Sequence, residues 1–121
     1  MDIKWQALLM KMAAGKSSLL RFTNSGKKKA LSVVATPADT ASSLNCVCDK
    51  EQLHIRLTNR PASLTHMTDT GYLHISGFVT SLHITEEPSL KFVVMQASLF
   101  ERKRSGSDEW LEEVGSFGPS A

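Results

Sequence analysis

The chain has 121 residues, 41% hydrophobic and 21% charged. These proportions fit one globular domain able to bury a core without disulfides or metals, and they exclude global disorder. The formal net charge of +2 conceals a division: all fourteen Lys and Arg fall in 1–104 against eight acids, giving +6, while 105–121 hold four acids and no base, giving −4. No stretch approaches the roughly 20 apolar residues that span a bilayer. Segment 1–16 is interrupted by Lys4, Gln6 and Lys11 and lacks the basic start of a secretion signal. A cytoplasmic protein with no membrane role is expected.

In chain order, residues 2–14 are predicted to be a helix, with Asp2 at its start and Gly15 to end it. Ile3, Trp5, Leu8, Leu9 and Met12 gather on one side, suited to covering a sheet or a barrel end. From Ser18 the pattern changes to strands. Residues 19–22 and 30–34 flank a Gly-containing turn with Lys27, Lys28 and Lys29, which predicts a hairpin. Residues 44–48 and 53–57 predict a second hairpin, in which Leu53, Ile55 and Leu57 alternate with His54, Arg56 and Thr58. The polar stretch 59–70, with Pro61, reads as a long connection.

The two longest strands follow. In 72–83 the spacing sets Leu73, Ile75, Gly77 and Val79 on one face, against Tyr72, His74, Ser76, Phe78 and Thr80. In 90–101 it sets Val93, Met95, Ala97 and Leu99 against Phe92, Val94, Gln96, Ser98 and Phe100. Gly77 in mid-strand predicts a bulge or sharp bend, as a closing barrel needs. Ser105-Gly106-Ser107 reads as a linker, so the domain is drawn as 1–104 and 105–121 as a flexible acidic tail.

The chain carries no glycine-rich phosphate loop, no Gly-x-Ser-x-Gly elbow and no His-Glu-x-x-His. Cys46 and Cys48, two apart in one strand, point the same way and read as reduced thiols. With His54 they match no standard zinc spacing. No enzyme, metal or cofactor is expected.

Three features point to binding. Tyr72, Phe78, Phe92 and Phe100 fall on the less apolar face of the last hairpin, where bases stack without regard to sequence. The same rings would also suit a core or a subunit interface. Basic residues along strands and turns, among them Lys27, Lys28, Lys29, Arg56 and Lys91, would meet phosphates. Trp110 and Leu111, embedded among Asp108, Glu109, Glu112 and Glu113, would dock on a partner.

The run Gly71-Tyr72-Leu73-His74-Ile75-Ser76-Gly77-Phe78-Val79, followed by residues 90–100 with Ala97 near their end, resembles the last two strands of the bacterial single-stranded-DNA-binding family, its primosomal PriB-like members included. The resemblance covers about thirty residues, and the chain departs from the family in opening on a helix and in lacking an acidic-Pro-Phe ending. It implies an OB-like antiparallel barrel, often dimeric or of higher order.

The expectation is therefore a mainly β protein with an N-terminal helix that binds single-stranded DNA, or RNA, in replication, recombination or mobile-element transfer. Lys27, Lys28, Lys29, Arg56 and Lys91 would hold phosphates, while Tyr72, Phe78 and Phe92 stack bases. A replication or recombination protein would be recruited through Trp110 and Leu111. The alternative is a non-catalytic adaptor or assembly subunit of the same fold.

Overall fold

A computed structural model describes residues 4, 7, 12, 16–22, 30–37, 42–48, 60–83 and 88–118. Seven strands run through them: β1 (Ser17–Phe22), β2 (Ala30–Pro37), β3 (Ser43–Cys48), β4 (Arg60–Met67), β5 (Gly71–His83), β6 (Ser89–Ser105) and β7 (Asp108–Phe117). All pairings are antiparallel. β1, β2 and β3 form one meander, and β4, β5 and β6 a second. Pairing of β1 with β4 and of β3 with β6 closes six strands into a barrel, to which β7 is added beside β6.

Closure follows from alternation. Leu20, Leu31, Val33, Leu44, Cys46, Leu64, Leu73, Ile75, Val79 and Leu90 project inward and are buried, and hydroxyl, amide and charged side chains alternate with many of them outside. Such a period-2 pattern has one stable placement, because a slip by one residue would put each strand's apolar set in water. Met12 packs against this core, the one contact described for the segment expected to be helical. Apart from residues 4, 7 and 12, the helix expected over 2–14 lies outside the described residues, as do the strand expected over 53–57, the lysine turn and Arg56.

Three expectations are corrected. Residues 60–67 are a barrel strand and not a connection: Ala62, Leu64 and His66 face inward, and Pro61, near the strand's start, lies exposed opposite Phe78. A proline is tolerated near the first residue of a strand, where one missing N–H costs little pairing.

The second correction concerns the faces of β6. Ser76 pairs with Gln96 but Gly77 with Val94, which leaves Met95 as an extra residue. This bulge inverts the alternation, so Phe92 and Val94 join Leu99 inside while Met95 is exposed. A Cβ on Gly77 would run into the Val93 carbonyl oxygen and lie 3.0 Å from Cε1 of Phe92. The close approach is possible only with glycine there.

Third, residues 105–121 are not simply a tail. Gly106, with φ of 61°, opens a tight turn, and β7 runs back along β6 from Asp108 to Phe117. Positive φ at the first central position matches the twist of a two-residue hairpin. β5 begins at Gly71, opposite Glu101. Arg102 N–H still donates to the Thr70 carbonyl at 2.7 Å; beyond it, among the described residues, β6 and β7 pair only with each other and form a two-stranded ribbon past the barrel.

Candidate nucleic-acid interface

The outer surface of β4, β5 and β6 carries one continuous row of groups. Along β5 these are Tyr72, His74, Ser76, Phe78 and Thr80, all exposed or half-buried. Register places Met67 and Phe100 on either side of Tyr72, Thr65 and Ser98 beside His74, Ser63 and Gln96 beside Ser76, and Pro61 and Val93 beside Phe78. From Tyr72 to Phe78 is about 20 Å, six residues at ~3.3 Å each.

The rings differ in what they offer. Tyr72 and Phe100 stack on one another, with centroids 4.9 Å apart and planes 16° from parallel, so each has one face occupied. Phe78 is 42% exposed, a large apolar side chain held out on a polar wall. Phe92 is fully buried and belongs to the core. Its expected stacking role is withdrawn, for the reason the bulge supplies.

Cations flank the row. Lys91 lies two residues before Val93 on β6 and is thus a diagonal neighbour of Phe78. Arg21 on β1 is opposite Ser63, in the row of Ser76. The sequence pattern alone gives Arg21 no place in this row; the β1–β4 pairing does. Among the described residues from 16 to 100, the charged side chains are four cations, Lys16, Arg21, Arg60 and Lys91, and one acid, Asp69. Asp69 is 3.8 Å from Lys16, at the other end of the barrel wall from Phe78. Acids return at the ribbon, where Glu113 stands opposite Phe100.

Trp110 and Leu111, expected to bind a partner, are exposed neighbours on β7 and so face opposite sides of the ribbon. Leu111 lies opposite Arg102, and Arg102 is paired with Glu109 at 3.1 Å. Arg102, Glu109, Trp110 and Leu111 border an open depression.

Two features inside the barrel escaped sequence reading or were only outlined by it. Ser18 Oγ and His66 Nδ1 form a buried 2.7 Å hydrogen bond on facing positions of β1 and β4. Burial first, and then the charge of Lys16, hold the His66 pKa below its ordinary 6.5. Both side chains are buried in the barrel interior. Cys46 and Cys48 both point inward and are unbridged. Burial, with a smaller contribution from Cys48, pushes the Cys46 thiol up to about 12, so it is not a thiolate at neutral pH.

Comparison with models of known families, with characterised proteins and with solved structures returns no match. Among the described residues, no helix is long and apolar enough to cross a membrane.

Proposed function

We propose that this chain binds single-stranded nucleic acid without strong sequence preference, using an OB-like barrel as a platform. The path of the strands supports the OB-like reading: a three-stranded meander, a crossing, and a second meander whose last strand closes on the first. It differs from the five-stranded form by one additional barrel strand and by β7.

One observation carries the proposal. Phe78 stands exposed in a row of hydroxyls, with Lys91 beside it and Arg21 two strands away, on a wall whose described charges are almost all positive. In this reading a base stacks on Phe78 and the flanking phosphates meet Lys91 and Arg21. Ser63, Ser76 and His74 offer hydrogen bonds along the strand. Tyr72 and Phe100 form a second, weaker platform. The lysine run 27–29 begins six residues after Arg21, in the sequence between β1 and β2.

The test is a fluorescence-anisotropy titration with labelled oligo-dT at about 50 mM and about 200 mM salt, a range over which phosphate-dominated binding weakens markedly. Micromolar or tighter binding at low salt, lost progressively as salt rises, is expected. Absence of binding at micromolar protein and low salt would refute the proposal, and salt-insensitive binding would count against it. In that second case the exposed face is better read as a subunit interface, which sedimentation would reveal.

A further inference from the structure

β7 is the last strand of the sheet, and among the described residues it pairs only with β6. Over the exposed residues Asp108–Glu113 its other edge therefore presents alternate backbone N–H and C=O groups. An edge of this length is a template for another strand. What it would accept is written in its side chains: Asp108, Glu109, Trp110, Leu111, Glu112, Glu113.

All six are exposed, with Trp110 at 45% and Leu111 at 51%. Across the ribbon, Glu109 has Arg102 as an ion-pair partner. Asp108 faces Ser105, Glu112 faces Glu101 and Glu113 faces Phe100, so these three acids are uncompensated among the described residues. The negative charge lies at the open side of the sheet, since β6 contributes Arg102, Lys103 and Arg104 on the closed side.

A second copy is a poor occupant. Antiparallel self-pairing through this edge keeps residues of one face opposite each other: centred on Trp110 it would set Asp108 against Glu112, and centred on Leu111 it would set Glu109 against Glu113. Like charges directly opposite one another destabilise a strand pair.

We propose that the open edge of β7 docks an extended segment of a partner protein with the pattern basic–basic–apolar–apolar–basic–basic. Basic residues would stand opposite the two acid pairs and apolar residues opposite Trp110 and Leu111, one on each face. Because the acids are symmetric about the Trp110–Leu111 centre, a parallel and an antiparallel partner need the same pattern. Main-chain hydrogen bonds supply affinity and the alternating side chains supply selectivity, as in other strand additions. The inference does not depend on the nucleic-acid reading, since it uses the opposite end of β6 and the other sign of charge.

The test uses the full chain and a short fluorescein-labelled peptide with Lys-Lys-Val-Ile-Lys-Lys at its centre. Saturable binding is expected, together with slowed hydrogen exchange of β7 amides. A peptide with Glu in place of every Lys should not bind. A peptide with Pro at the central apolar pair keeps its charge but cannot complete a strand ladder, and should bind at least about tenfold more weakly. In the protein, the double substitution E112K/E113K, at exposed positions with no buried role, should weaken the parent peptide about tenfold.

Equal binding by the Pro-containing peptide would overturn the proposal, leaving nonspecific attraction to acids. Unchanged exchange of the β7 amides would do the same. So would failure of the parent peptide to bind, which would assign the acids only to keeping the edge from aggregating.

Discussion

Phe78 and Phe92 are the same side chain on paired strands, fourteen residues apart in sequence, with opposite surroundings. Phe92 has no exposed surface and Phe78 is nearly half exposed. Truncation should separate their roles. Phe92→Ala leaves a core cavity and should cost about 3–5 kcal/mol of stability, read as a fall in the urea midpoint. Phe78→Ala should leave that midpoint nearly unchanged and weaken oligo-dT binding about 5- to 150-fold, the equivalent of ~1–3 kcal/mol of lost stacking. If Phe78→Ala destabilised the barrel and left binding intact, the stacking assignment would fail.

His66 makes a second prediction at the same scale. Its folded pKa is lowered, so below about pH 6.5 the unfolded chain binds a proton that the folded barrel resists. Stability from this group is complete above pH 6.5 and is lost as the pH falls toward the folded value. Urea unfolding at successive pH values from 7.5 to about 5 should show that decline, reduced in His66→Gln. Ser18→Ala should destabilise the protein at neutral pH by about 1–3 kcal/mol, because the buried His66 ring loses its 2.7 Å hydrogen bond to Ser18.

Among the elements, the bulge in β6 decides the most. It falls where Gly77 lets β5 approach the Val93 carbonyl, and it lets β6 pair with β3 at one end and β7 at the other. Gly77→Ala drives a methyl group into backbone, which cannot move aside as a flexible side chain can. A loss of several kcal/mol, or failure to fold, is expected, while Ser76→Ala one residue away should be mild. Circular dichroism with urea titration of the two variants checks this.

The same element shows what a sequence can and cannot reveal. The inward face of β5 was legible because Leu73, Ile75 and Val79 alternate there with Tyr72, His74, Ser76 and Phe78, whereas Leu19-Leu20 and Val33-Val34 left the faces of β1 and β2 unassigned. Gly77 announced an irregularity, but not which strand would carry the extra residue. β6 is apolar on both faces from Phe92 to Met95, so its phase could not be read locally and Phe92 was assigned outward. β4 has few aliphatics and a proline, so its strand character is fixed by the neighbours that pair with it. The hydrophilic β7 looked like a tail because a ribbon beyond a barrel has no core to face. Of the candidate site, Tyr72, Phe78 and Lys91 were singled out by pattern and lie on one outer wall, whereas placing Arg21 beside them required the β1–β4 register.

At the scale of the molecule, a basic barrel wall is joined to an acidic strand, and whether the second opposes ligand on the first is a matter of distance. Charges farther apart than about 10 Å at 0.1 M salt are largely screened. Asp108 lies at the far tip of the ribbon, several residues beyond the barrel, whereas Glu113 lies opposite Phe100 at the end of the aromatic row. Of the four β7 acids, Glu113 is thus the one placed to repel a phosphate passing over Tyr72 and Phe100. Glu113→Gln should tighten oligo-dT binding about two- to fivefold at low salt and by less at about 200 mM, and Asp108→Asn should change nothing at either salt. Equal gains from both substitutions would mean that the negative strand acts through overall charge. A gain from neither would place the bound strand at the Phe78–Lys91 end alone, clear of the ribbon.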